Sequence, residues 1–168
     1  MYVLDTNVLL ALQNHYFPEV FITLWKDING LIENNNIMSI TEVQEEITSK
    51  EHKIFWDKIN TKHKHVFYKE LESNEEEEMA KIESLKIYSK ITLKNQNNKT
   101  IEWSLQKEWG EGVAVADPLL ICHGLKHGST IVTTESPKNQ YNIPHVCKEL
   151  NVNCIGIKDF FIENRLRF

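Results

Sequence analysis

Apolar residues come in short bursts along this chain, and each burst is cut by a polar cluster of the kind that ends an element. Met1 to Leu4 is an apolar run halted by Asp5-Thr6-Asn7, after which Val8, Leu9, Leu10 and Leu12 resume it. This predicts a buried strand that turns at once into a helix, leaving Asp5 at the carboxyl end of the strand. From Phe17 to Ile32, starting at Pro18, the residues Val20, Phe21, Leu24, Trp25, Ile28, Leu31 and Ile32 recur at helical spacing until Asn34-Asn35-Asn36 stops them. Ile37-Met38 is a second short strand. Ser39 followed by Glu42 has the form of a capping box, opening a helix whose buried side holds Val43 and Ile47. Glu42 and Glu46 project from nearly the same face of that helix.

From residue 49 to about 95 the chain is polar and helix-like, with Ile54, Phe55, Trp56, Ile59, Val66, Phe67 and Leu71 spaced for packing. The Glu75 to Glu78 run fits a solvated face, Asn95 to Lys99 a loop, and Ile101 to Trp109 a further helix ended by Gly110-Glu111-Gly112. Asp117 at a cap and Pro118 at the first helical position open a helix carrying Leu119, Leu120, Ile121 and Leu125, which Gly128 closes. Thr130 to Thr134 is a buried strand leading to a turn at Glu135-Ser136-Pro137. Pro144 opens a helix through Leu150, Val152 to Ile157 is a strand, and Lys158 to Asn164 is a last helix. Strands alternating with helices predict an α/β fold, a three-layer α/β/α arrangement around a central parallel sheet. We expect one domain over residues 1–168 with a helical insert at about 50–112. In such sheets ligands bind beyond the carboxyl ends of the strands.

Composition narrows the function classes. A chain of 168 residues, 41% hydrophobic and 26% charged, suits one soluble domain. No apolar run approaches the roughly 20 residues that cross a bilayer, and no secretory signal is visible, so a cytoplasmic protein without a membrane partner is expected. Cys122, Cys147 and Cys154 form no CxxC pair, which argues for free thiols over a disulfide framework or a cysteine zinc site. His63 with His65, and His123 with His127, lack an HExxH arrangement and do not support zinc either. Trp25, Trp56, Trp103 and Trp109 are expected to pack in the core or at an interface rather than to stack on bases. A net charge of -5 excludes nucleic-acid binding by bulk attraction and leaves metal ions or a local basic patch.

Most of the 24 Asp and Glu residues must be solvated, so those at the strand ends matter. Asp5 follows the first strand, Glu46 lies on the helix after the second, Asp117 opens a helix, and Glu135 follows a later strand. Each has an ordinary alternative: Asp5 and Asp117 as helix caps, Glu46 as a helix-surface acid, Glu135 as a turn residue. Together they point to a cluster of repelling carboxylates, which divalent cations would stabilise, and oxygen-only ligands favour Mg2+ or Mn2+.

The segments Val3-Leu4-Asp5-Thr6-Asn7-Val8-Leu9-Leu10, Val43-Gln44-Glu45-Glu46-Ile47, Ala116-Asp117-Pro118-Leu119-Leu120-Ile121 and Ile131-Val132-Thr133-Thr134-Glu135 occur in an order that resembles the PIN domain family. More closely, the chain resembles a PIN-like prokaryotic branch similar to the toxin nucleases of toxin-antitoxin pairs. The resemblance implies that Asp5, Glu46, Asp117 and Glu135 are the catalytic and metal-binding acids, supported by Thr6, Asn7 and Thr133 or Thr134. It departs from the family at Glu135, where Asp is usual, and in the length of the central insert. It implies a Mg2+- or Mn2+-dependent endoribonuclease, with RNA as substrate, an antitoxin protein as partner, and scope for a homodimer.

In that mechanism Asp5 and Asp117 are the main ligands, Glu46 a ligand or water-orienting group, and Glu135 an outer ligand, with Lys138 and Lys158 as candidates for gripping substrate. The rival from the binding class is a PIN-like scaffold that binds a partner and cleaves nothing. A phosphatase with Asp5 as nucleophile is a second rival, weakened because Asn7 stands where a second Asp is wanted.

Overall fold

A computed structural model describes residues 1–70, 91–94, 100–103, 116–138 and 142–168 of the chain. The first apolar burst forms β1 (Tyr2–Leu4), which passes directly into α1 (Thr6–His15). Then follow α2 (Ile22–Glu33), β2 (Ile37–Ile40), α3 (Thr41–Glu46), α4 (Lys50–Lys62) and β3 (Tyr68–Lys69). The hairpin-like pair β4 (Ile91–Lys94) and β5 (Thr100–Trp103) precedes α5 (Asp117–His127), β6 (Thr130–Thr133), α6 (Ile143–Glu149), β7 (Cys154–Gly156) and α7 (Ile157–Glu163).

Five strands build a wholly parallel sheet in the order β3-β2-β1-β6-β7, while β4 and β5 pair antiparallel with each other. The fold is the three-layer α/β/α expected. All four residues of β2 are buried, and Val3, Leu4, Ile131 and Val132 are as well, which requires helices on both faces of the sheet. The chain moves from β1 through β2 to β3 on one side, then crosses to β6 and β7 on the other. This makes β1 and β6 the point where the winding reverses, and their carboxyl ends flank the crevice that such sheets use for ligands.

The register at that crevice is fixed by backbone and buried polar bonds. Tyr2, Val3 and Leu4 lie opposite Thr130, Ile131 and Val132, and the N–H of Asp5 extends the pairing by donating to the Val132 carbonyl at 3.1 Å. The Ser39 hydroxyl donates to the Leu4 carbonyl at 2.7 Å inside the core. Ser39 is therefore a strand residue, and Ile40 is the residue before α3, so the expected capping box does not form. A hydroxyl between Met38 and Ile40 is tolerated there because its one donor finds a carbonyl.

The stretch expected to be a helical insert starts as part of the sheet. Helix α4 is the crossover that carries the chain to β3, and Asn60 on it accepts the N–H groups of Phe67 and Tyr68 through Oδ1 at 3.2 and 3.3 Å. Two strand residues are too few to break a helical periodicity in the sequence. Trp56 is fully buried and stacks on Phe67 with ring centroids 5.5 Å apart, and Trp25 meets Phe55 edge-on at 5.2 Å, so these two tryptophans are core residues. Residues 91–94 and 100–103 are strands where helix was expected. The Glu75 to Glu78 run, the Asn95 to Lys99 loop, residues 104–109 of the expected helix with its Gly110-Glu111-Gly112 stop, and the side chains of Trp103 and Trp109 lie outside the described residues. Helix α2 starts at Ile22 instead of Pro18, since Val20 and Phe21 bond back to the Phe17 carbonyl in a preceding turn. No described helix is long and apolar enough to cross a membrane.

Helix α5 reaches the sheet through Gly124. A Cβ there would stand 2.7 Å from Val152 Cγ1 and 3.3 Å from Ile131 Cδ1, so the helix backbone rests on those side chains. Gly128 ends the helix in the left-handed conformation, φ 63°, as the sequence predicts. Replacing Gly124 by Leu should destabilise the protein by about 1–3 kcal/mol through overpacking, read as a lower urea midpoint at unchanged slope. An unshifted midpoint would show that α5 does not sit this close to β6.

Candidate active site

Because β1 ends at Leu4 and α1 begins at Thr6, Asp5 is pinned between a buried strand and a buried helix turn. Its carbonyl accepts from Val8 and Leu9 at 3.0 and 3.2 Å, opening α1, and it occupies the N-cap position. Its side chain lies close enough to the Asn7 N–H for that donor to favour the charged form, without a full capping bond. It turns across to β6, where the Thr133 hydroxyl donates to Oδ2 at 2.8 Å, and the residue is only 1% exposed. Burial pushes the Asp5 carboxyl up to about 6. The Thr133 bond opposes that shift, and the negative charges of Glu135 and Glu46 add to it.

Glu46 ends α3 and ties together two distant segments. One carboxylate oxygen accepts from the Thr6 hydroxyl, and Oε1 accepts from the Ala116 N–H at 2.6 Å. Asp117 is the residue after Ala116 and the first of α5, half-buried, with Ala116 in the cap position that the sequence assigned to Asp117. Pro118 at the second position carries no N–H, which costs nothing in the first turn of a helix.

Glu135 leaves β6 in the turn after Thr133. Its N–H donates to Thr133 Oγ1 at 3.1 Å, and its Oε2 accepts from the Ile143 N–H at 2.7 Å, where a negative charge favours the start of α6. The acid expected as an outer ligand is thus also a brace for that helix.

Asp5 feels the charges of both Glu46 and Glu135, and Asp117 follows Ala116, the residue bonded to Glu46. The supporting residues sort differently from expectation. Thr133, 1% exposed, holds Asp5, while Thr134 is exposed because it lies just past the end of β6. Thr6 supports Glu46 rather than Asp5, and Asn7 is exposed on the rim. Lys138 and Lys158 are both exposed.

Cys154 on β7 also feels the charges of Asp5 and Glu135. The neighbouring Cys147 thiol donates to its sulfur, which holds Cys154 below and Cys147 above the ordinary thiol range. None of the three cysteines forms a disulfide. His63, buried under α2, takes Asn29 Oδ1 at 2.6 Å and lies 3.6 Å from a Glu33 oxygen, which accounts for it without a metal. Among the described residues no three His, Cys, Asp or Glu side chains stand together as a metal-holding group.

Residues 2–168 match the family described as a domain of unknown function, DUF4411. The chain belongs to that family. No curated protein and no solved structure matches it. The crevice of this DUF4411 chain therefore has to be interpreted from its own chemistry. That chemistry is carboxylates and hydroxyls near the point where a parallel sheet reverses its winding, with the Cys154 thiol in electrostatic reach and the Asp5 carboxyl raised by burial. A hard divalent cation suits such a set in charge and ligand type.

The raised Asp5 carboxyl has a consequence for stability. The proton is held more tightly in the folded state than at the ordinary value of 3.8, so the contribution is whole below that pH and is lost as pH rises through about 6. The shift corresponds to about 3 kcal/mol. Asp5→Asn should therefore raise the melting temperature by several degrees at pH 8 in EDTA and change it little at pH 4. Equal shifts at the two pH values would exclude a perturbed Asp5.

Proposed function

We propose that this chain is a metal-dependent nuclease that hydrolyses phosphodiester bonds in RNA, as a nuclease of the toxin-antitoxin kind would. The observation that carries the reading is the buried Asp5 carboxylate at the winding reversal, flanked by the carboxylates of Glu46 and Glu135. Three acids drawn toward one crevice serve no apolar core, and the resemblance of their sequence contexts to the PIN domain family supplies a chemistry for them.

Asp5, Glu46, Asp117 and Glu135 are the residues that would hold Mg2+ or Mn2+. When bound there, such an ion lowers the pKa of its water and offsets charge on the scissile phosphate. Thr133 keeps Asp5 aimed across the crevice, and the Leu4 carbonyl, fixed by Ser39, sets the backbone direction from which it leaves. Glu46 draws Thr6 of α1 and the residue before α5 together, and Asp117 follows that contact by one residue. Carboxylate oxygens have spare lone pairs after accepting one N–H, so these braces do not exclude cation binding. Lys158, beside the crevice at the start of α7, is a candidate for a phosphate contact.

A second reading, a partner-binding scaffold that cleaves nothing, is favoured by one observation. Glu46 and Glu135 are each held by backbone N–H groups, an arrangement that would also stabilise an inactive fold. One experiment separates the two: wild type and Asp5→Asn are incubated with single-stranded and structured RNA in Mn2+ and in EDTA, and melting is followed in the same buffers. The nuclease predicts cleavage only by wild type in Mn2+, at least a hundredfold above Asp5→Asn, together with Mn2+-dependent stabilisation of wild type at pH 8. Cleavage in EDTA, or equal activity of the variant, would sink the mechanism. No cleavage with no Mn2+ stabilisation would establish the scaffold.

A further inference from the structure

We propose that the groove beside the acids, along the outer face of α1, is a seat for an unpaired nucleobase of the RNA; this rests on the nuclease reading above. The groove encloses about 430 Å³ and is lined by Asn7, Leu10, Ala11, Asn14, His15, Tyr16, Thr134 and Ile157. That volume lies within the roughly 300–1,000 Å³ of small-ligand sites.

Its position follows from the helix. Asn7, Leu10, Ala11 and Asn14 are spaced three, four and seven residues along α1 and so share one face, which starts two residues beyond Asp5. Thr134 on the other side lies between Thr133, which holds Asp5, and Glu135. At 1.5 Å per residue the stripe runs about 10 Å away from the acids, the span of a base and its sugar next to a phosphate held at the crevice.

The lining selects for a heterocycle. It contains no lysine, arginine or carboxylate, and His15 is its one ionisable nitrogen base, so it has no fixed charge to favour a phosphate over a neutral ring. Leu10, Ala11 and Ile157 supply apolar surface for a ring face. Asn7 and Asn14 supply carboxamides, groups that can match the mixed donors and acceptors of a base edge. Asn14 is oriented in advance, because its Oδ1 meets His52 Nε2 at 2.9 Å and its amino group is left to donate. The Tyr16 ring is held as a wall by edge-on contacts with Phe21 at 5.5 Å and Phe161 at 5.3 Å.

The test uses the four ribonucleosides as probes, with ribose 5-phosphate as control, added to 15N-labelled full-length protein in EDTA. At least one nucleoside should shift the amide signals of Asn7, Ala11 and Asn14 saturably, and ribose 5-phosphate should not. Ala11→Trp, which fills the groove, should abolish those shifts. Asn14→Ala, at an exposed position, should weaken binding at least fivefold, change which nucleoside binds best, and raise the KM for RNA more than it lowers kcat. Absence of any nucleoside shift, or binding unchanged in both variants, overturns the groove. If RNA is cleaved through Asp5 yet nucleosides do not bind, the groove fails and the nuclease stands. If nucleosides bind but Asp5→Asn cleaves as well as wild type, the nuclease mechanism fails and the groove stands.

Discussion

A carboxylate placed among apolar side chains must be met by donors or by cations, and the crevice is organised around how Asp5 is met. Asp5 holds the N-cap position of α1, where an Asp side chain would ordinarily turn back onto the free N–H groups of the helix. Here the backbone carbonyl alone opens the helix, while the side chain reaches across the sheet to Thr133. One hydroxyl and the nearby Asn7 N–H are a thin match for a charge on a residue that is 1% exposed. The protein holds the group by making ionisation unfavourable, and a cation would reverse that.

Glu46 and Glu135 show how repelling acids are kept near one another. Each is anchored by a backbone donor from another element, Glu46 by Ala116, 70 residues on, and Glu135 by the first residue of α6, eight residues on. These charge-assisted bonds offset part of the mutual repulsion and fix the side chains in advance. The same bonds make the acids structural. Thr6, Glu46 and Ala116 join α1, α3 and the approach to α5, so replacing Glu46 would loosen the crevice from three sides. This coupling makes Asp5, anchored by one side-chain bond, the cleaner probe of chemistry.

The layered fold was legible because strand and helix periods alternate clearly over residues 1–47 and 116–164. The sheet edge was not, since β3 has only two residues and Phe67 continues the helical spacing of α4. The acids were legible as a set, through their places after strands and at helix starts. Their partners were not. Ser39 has the spacing of a cap yet lies inside β2, and only the pairing of β1 with β2 brings its hydroxyl to Leu4. Thr133 and Thr134 are chemically identical in the sequence, and only the register of β6 against β1 and the strand's end at Thr133 decide which one meets Asp5. The groove on α1 left no mark, because Leu10 and Ala11 belong to an apolar run that looks like core until the helix is oriented.

The overall charge of -5 gives these features a division of labour in the proposed nuclease. Phosphate cannot approach bare acids, so a bound divalent ion must supply the attraction at the crevice itself. The groove, which lacks charged side chains, cannot add to that attraction and instead gains from burying a ring face and matching its edge. Affinity then comes from one ion and one base rather than from a basic surface. A protein built this way releases few counterions on binding, so its hold on RNA should depend weakly on salt, in contrast to nucleases that grip the backbone with lysine and arginine.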